Sequence, residues 1–288
     1  MILVTGAAGK TGRAVLKALL AKGRSVRALV YRPDQILEMN RLGAQDVRIG
    51  DMRNAHDMVH AFDHIQGVYH ICPNASPDEV SIGQTVIVAA QSAGVEHFVF
   101  HSVLHPQIQA MTHHWNKLLV EELLIESGLP YTILQPAVYM QNMLASWEMI
   151  CNHGIYPVPY PAETRLSYVE LENVAEVAAM VMSEAKHINA VYELVGTAGL
   201  TQTELVAILS EQLNRPIAVK VINLPDWEKQ SHDKGMGDYQ IKTLSSMFRY
   251  YQQYGLTGNP KVLNWLLQRP PSSVADFANR NRCPQLQL

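Results

Sequence analysis

The stretch that decides the fold opens the chain: Ile2-Leu3-Val4-Thr5-Gly6-Ala7-Ala8-Gly9-Lys10-Thr11-Gly12. A short apolar run enters three glycines spaced G-x-x-G-x-x-G, and a helical pattern continues from Gly9 to Ala21. Each glycine has a task that a side chain would obstruct. Gly6 permits the tight turn, Gly9 lets the backbone approach a pyrophosphate, and Gly12 seats the helix close to the strand. The helix start offers backbone N–H groups and the positive end of a dipole to phosphates. The spacing therefore predicts a dinucleotide-binding turn, with Gly6, Ala8, Gly9, Lys10, Thr11 and Gly12 around the pyrophosphate. Gly9-Lys10-Thr11 imitates the end of a nucleotide-triphosphate loop, G-x-x-x-x-G-K-[ST]. That motif would need its first glycine at Val4, so the reading fails.

Working outward, short apolar runs recur at Ile2–Thr5, Val26–Tyr31, Val47–Ile49, Val68–Ile71, His97–His101 and Tyr131–Leu134. Helical segments lie between them at Gly9–Ala21, Asp34–Leu42, Ala55–Phe62, Asp78–Ala93 and Thr112–Ser127. Ser76-Pro77-Asp78-Glu79 reads as a capping box for the fourth. Continuous apolar runs alternating with helices predict an α/β fold, a Rossmann-type doubly wound parallel sheet. After about residue 150 the pattern becomes mixed. Pro157, Pro159 and Pro161 suggest an irregular crossing, and Thr201 with Glu204 predicts another capped helix. The expected organisation is a dinucleotide-binding domain over 1–150 and a smaller α+β substrate-side lobe over 151–288, with later elements free to return to the first.

The 288 residues are 48% hydrophobic and 17% charged, which excludes intrinsic disorder. A net charge of −3 argues against nucleic acid as a partner, and no apolar run is long enough to span a membrane. Cys72, Cys151 and Cys283 show no metal or disulfide spacing, so free thiols and a reducing compartment are expected. Met1–Val4 runs straight into the glycine turn and reads as core rather than a signal peptide, which points to the cytoplasm. His56, His60 and His64 have metal-ligand spacing, but no cysteine or carboxylate pattern completes a site and no metal is expected. Tyr250, Tyr251 and Tyr254 are read as packing residues, and Asn279–Leu288 as a mobile tail.

The second run ends Leu29-Val30-Tyr31-Arg32-Pro33, with no acid at its tip to hold a ribose 2′-hydroxyl. Arg32 instead suits a bidentate grip on a 2′-phosphate, with Lys10 nearby, so NADP(H) is expected over NAD(H). Asp34 follows a proline and is not counted as the ribose acid. The third run ends Gly50-Asp51-Met52. There Asp51 suits the adenine amino group and the Met52 backbone suits the ring.

TGAAGKTG at 5–12, VYRP at 30–33, GDM at 50–52, HSV at 101–103, HHWNK at 113–117, ILQPAVYMQN at 133–142 and YELVG at 192–196 resemble the NmrA-like branch of atypical short-chain dehydrogenase/reductases. The resemblance covers most of the chain, with the C-terminal part matching only loosely. It implies a Rossmann fold with a small C-terminal lobe and NADP(H) as ligand. Relatives in that branch include triphenylmethane reductase, NADPH-dependent quinone reductases and NADP-binding regulators. The wider superfamily uses Tyr-x-x-x-Lys, which is absent here. The family's lysine position falls on Lys117, with His113 four residues before it on the same helix face. The resemblance gives Lys117 the nicotinamide ribose, His113 acid–base work and Ser102 a substrate oxygen. It sets the Pro136 turn beside the nicotinamide; Pro73, at the end of the fourth run, is expected along the cofactor trough, and Tyr139, just after Pro136, is expected to reach the substrate.

Two functions follow. One is NADPH-dependent hydride transfer to a small conjugated acceptor such as a quinone or dye, which needs little protein machinery beyond orientation and an apolar slot. The other is a non-enzymatic NADP(H)-sensing regulator that binds a partner protein. A sugar-nucleotide epimerase falls on the missing tyrosine. Monomer and homodimer both remain open.

Overall fold

The structure, a computed structural model, describes residues 1–283. Strands and helices alternate through the first 136 residues: β1 (Ile2–Val4), α1 (Lys10–Ala21), β2 (Val26–Val30), α2 (Ile36–Leu42), β3 (Asp46–Ile49), α3 (Ala55–Phe62), β4 (Gly67–His70), α4 (Glu79–Ser92), β5 (His97–His101), α5 (Thr112–Glu126) and β6 (Tyr131–Pro136). There follow β7 (Val138–Tyr139), α6 (Trp147–His153), β8 (Ile155–Val158), β9 (Tyr168–Val169), α7 (Leu171–Val181), β10 (Ala190–Leu194), α8 (Gln202–Leu213), β11 (Ala218–Val221), α9 (Leu224–Asp233), α10 (Asp238–Tyr254), α11 (Lys261–Leu267) and α12 (Val274–Arg280).

Seven strands form one sheet in the order β10-β6-β5-β4-β1-β2-β3. Ile2 pairs in parallel with Val26 on one side and Gly67 on the other, so the strand order changes direction at β1. Ligands of doubly wound sheets bind at the carboxyl ends of the strands beside such a switch point, and the glycine turn leaves β1 there. The central strands are buried on both faces, which is why they read as uninterrupted apolar runs. One core joins Leu3, Val68, Phe98 and Ile133 of the sheet to Phe62, Val86, Val120 and Leu124 of the helices.

The chain divides into two units. The first holds Met1–Gln109, His113–Pro136 and Val174–Tyr192, and the second holds Ala110–Thr112, Ala137–Asn173 and Glu193 onward. The sequence suggested a boundary near 150 with later elements free to return. The chain leaves the first unit after Pro136 and comes back for most of α7 and the start of β10.

Three expectations change in the second unit. The proline-rich crossing contains a strand, because β8 runs through Pro157 and pairs in parallel with β11, Pro157 opposite Lys220. Proline is tolerated in so short a two-stranded sheet because edge N–H groups need no ladder partner. Cys151 and Cys283 are not free thiols: they form a disulfide across 132 residues, with Cα atoms 5.4 Å apart. Asn279–Cys283 is therefore no loose tail. α12 runs to Arg280, and the Trp147 indole donates to the Asn281 carbonyl at 2.8 Å. The expectation for 284–288 lies outside the described residues. The Thr201–Glu204 capping box closes as expected, at 3.0 and 2.8 Å. Tyr251 is buried against Tyr160 and Phe248. Among the described residues no helix is long and apolar enough to cross a membrane.

Candidate functional site

The glycine turn is fixed by sterics from both sides. Gly6 has φ +57°, a left-handed conformation that side chains resist, and a Cβ there would meet the Ile71 carbonyl oxygen at 3.0 Å. A Cβ on Gly12 would lie 2.3 Å from the Gly6 carbonyl oxygen and 2.7 Å from the Ala7 Cα. The turn is held to β4 by Thr5, whose hydroxyl accepts the Ile71 N–H at 2.8 Å and pairs with His70 Nδ1 at 2.9 Å. Gly9 precedes α1, and no side chain caps that helix. Lys10 and Thr11 therefore begin α1 at a bare amino end built against the switch point, a fit for a pyrophosphate. Desolvation lowers the pKa of the Lys10 ammonium.

Beyond this turn, β2 and β3 end in charged pairs. Arg32 is exposed and grips Asp34 with both arms of its fork, Nε–Oδ1 at 3.1 Å and Nη2–Oδ2 at 3.3 Å. Asp34, set aside on sequence grounds, is thus the partner of the expected phosphate ligand. That guanidinium holds the Asp34 carboxyl below the usual range. Asp51, expected to face adenine, binds Arg53 through Nη2 at 2.7 Å and Nε at 3.0 Å. Arg53 went unread in the sequence, although its i, i+2 spacing from Asp51 repeats that of Arg32 and Asp34. Met52 packs partly buried against the core.

At the ends of β4 and β5 lies a buried polar cluster. Lys117, expected at the nicotinamide ribose, is engaged internally. It is 3% exposed, and its ammonium donates to Glu79 Oε1 at 2.8 Å and to the His101 carbonyl at 3.1 Å, over the Phe100 ring. Glu79 does not close the expected capping box. α4 begins at Glu79 with no side-chain cap, and the carboxylate turns inward to Lys117. Its position on the buried stripe with Ile82, Gly83 and Val86 was the available signal. Ser102, expected to offer its hydroxyl to a substrate, is fully buried and donates it to Glu121. Gln135 donates to both Glu121 oxygens, at 2.9 and 3.1 Å, and burial raises the Glu121 pKa against these contacts.

The histidines around this cluster are held neutral. Burial, then the charge of Lys117, takes the His113 pKa well below its ordinary value. His101 falls to about 3 for the same first cause, and its Nδ1 pairs with the Tyr69 hydroxyl at 2.7 Å. His113 lies edge to face against His114, with ring centroids 6.1 Å apart. Pro73 is exposed just past β4. Pro136 ends β6, its carbonyl accepting the Leu104 N–H at 2.9 Å. Tyr139 lies in the second unit on β7, opposite Val169 of β9. His56 and His60 meet edge to face on α3, while His64 lies past the helix end with φ +56°.

The first unit thus joins a glycine-framed helix start, an arginine-bearing rim and a buried polar cluster around Lys117. A model of the NmrA-like family matches residues 1–275. The chain is 28% identical over 283 residues to an NAD(P)H azoreductase of Xenophilus azovorans, covering 96% of both chains. It is 26% identical over 278 residues to quinone oxidoreductase 2 of Escherichia coli, again covering 96% of both. Among solved structures, an NADPH-dependent quinone oxidoreductase of Escherichia coli complexed with NADPH superposes with a TM-score of 0.85 at 25% identity, over 98% of this chain and 99% of that one.

Proposed function

The chain belongs to the NmrA-like family, and from that premise we propose that it is an NADPH-dependent reductase of small conjugated acceptors such as quinones and dyes. The observation that carries this is the bare amino end of α1, framed by Gly6 and Gly12 at the sheet's switch point. The similarity to an azoreductase and a quinone oxidoreductase along nearly their whole lengths supports the acceptor class.

When bound, the coenzyme supplies the hydride, and the remaining proton for a reduced quinone comes from water. The chain's own residues bind and orient. Backbone N–H groups at Lys10 and Thr11, with Gly6, Ala8, Gly9 and Gly12, cradle the pyrophosphate. Arg32 takes the 2′-phosphate, and Asp51 and Met52 border the adenine. Pro73 and Pro136 line the trough. Lys117 and Ser102, both engaged internally, shape the pocket wall through Glu79 and Glu121. His113 offers the acceptor a neutral hydrogen-bond partner. The setting proposed is the cytoplasm, where reduced dinucleotide is replenished; the Cys151–Cys283 bridge is the one feature that argues against it.

Titration with NADPH, followed by quenching of tryptophan fluorescence, tests the coenzyme site, with Arg32→Glu expected to weaken binding. Steady-state oxidation of NADPH against a panel of quinones, azo dyes and triphenylmethane dyes tests turnover. Binding without turnover on any acceptor would sink the reductase and leave the sensor, a reading favoured by the locked state of Lys117.

A further inference from the structure

We propose that Asp34 sets the coenzyme preference of this chain by competing with the ribose 2′-phosphate for Arg32, so that the site takes NADH as well as NADPH. The proposal rests on the coenzyme reading above and adds to it a specificity-determining residue.

Arg32 follows β2, where a doubly wound sheet places the adenosine ribose. Both arms of its guanidinium lie on Asp34, at 3.1 and 3.3 Å, the same fork geometry that a phosphate would use. Neighbouring arginines are matched in the same way: Arg53 by Asp51 at 2.7 Å, with Asp78 at 3.6 Å, and Arg13 of α1 by Glu38 of α2 at 3.0 Å. Each of these three arginines therefore has a carboxylate partner, whereas a site built for a dianionic phosphate alone gains from leaving its arginines unmatched.

The turn that carries the pair is held in place. Gln35 Oε1 accepts the N–H groups of Tyr31 at 3.2 Å and Arg32 at 3.0 Å, so one short segment presents the cation and the carboxylate together. The pair itself is loose. Its side chains are 61% and 68% exposed, and exposed ion pairs hold weakly, so either group can leave the other. With NADH, the Asp34 carboxylate accepts the 2′-hydroxyl, the task that an acid at this strand end performs. With NADPH, Arg32 turns to the phosphate, and Asp34 remains beside it as a like charge.

Dissociation constants for NADPH and NADH, measured at one fixed ionic strength on the full chain and on Asp34→Ala and Arg32→Ala, test this. The unaltered chain is expected to bind the two within about tenfold of each other. Asp34→Ala should bind NADPH more tightly by at least about threefold and NADH more weakly. Arg32→Ala should lose NADPH while keeping NADH. A preference of the unaltered chain for NADPH beyond about a hundredfold, or an NADPH affinity unmoved in Asp34→Ala, would overturn the competition and leave the coenzyme site standing. Binding of neither dinucleotide would overturn the site and the proposal together. Far-UV circular dichroism of the variants confirms that these surface changes leave the fold intact.

Discussion

Acidification from about pH 7.5 to about pH 5 is expected to remove much of the first unit's stability, through imidazoles folded in without charge. His70 and His101 are held at about 3 and His114 at about 4, in each case by burial first and the Lys117 charge among the lesser causes. All three lie inside the protein. His70 pairs with Thr5 and stacks on Phe100, His101 pairs with Tyr69, and His114 donates from Nδ1 to the His105 carbonyl at 3.3 Å. In the unfolded chain each returns to an ordinary value of about 6.5. Between those values the unfolded chain holds more protons than the folded one, so stability rises with pH across the window. The contribution is whole above about pH 6.5, falls away below it, and levels out near pH 3 to 4. At about pH 5 each histidine has lost about 2 kcal/mol, and the three together about 6 kcal/mol. Set against a total stability of about 5–15 kcal/mol, that loss nearly unfolds a domain of ordinary stability. Urea unfolding at stepped pH measures it, and His114→Gln should reduce the loss by about 2 kcal/mol. An unchanged urea midpoint across the range, or histidine proton resonances of the folded protein titrating near their ordinary value, would refute the reasoning.

Three further outcomes are expected. Glu79→Gln strands the buried Lys117 ammonium and should cost about 3–5 kcal/mol in urea unfolding, whereas Glu79→Leu combined with Lys117→Met should recover most of it; equal losses in both would mean that the ion pair is not the source. Gly12→Ala drives a methyl group into the Gly6 carbonyl, so a loss of about 1–3 kcal/mol and of dinucleotide binding is expected, read by thermal unfolding and by the fluorescence titration. Cys283→Ser opens a bridge that closes 132 residues. It should lower stability by at most about 5 kcal/mol, and an unchanged melting temperature would show that the bridge adds nothing.

The sheet was legible because both its faces are covered, which makes each central strand a bare apolar run, and because the glycine turn tolerates so few residue types. His97–His101 and Ala55–Phe62 end where the sequence placed them. The site was legible at its backbone and less so at its side chains. Ser76-Pro77-Asp78-Glu79 looks the same whether Glu79 caps a helix or turns inward, and its partner Lys117 lies 38 residues later. Ser102 was placed correctly at a strand end, yet Glu121 and Gln135 decide which way its hydroxyl points. The protonation of His113 depends on burial, which no spacing records. The Cys151–Cys283 pairing joins α6 to the segment after α12 and carries no local signal at all. β8 was hidden by Pro157, a residue that argues against a strand unless the strand is short and lies at an edge.

The return of the chain to its first unit has a consequence for synthesis on the ribosome. β6 is complete at Pro136, but the strand that covers its outer side, β10, begins only at Ala190. Until that segment emerges, the nascent sheet ends in a row of unpaired N–H and C=O groups, and Gly67 on β4 lacks the Met182 side chain that crowds it in the finished fold. An amino-terminal fragment cut near residue 150, however natural that cut looks in the sequence, would keep this open edge permanently and be prone to stacking on its own copies. The coenzyme-binding half thus matures only after most of the chain has been translated, and the two units are inherited, expressed and selected as one.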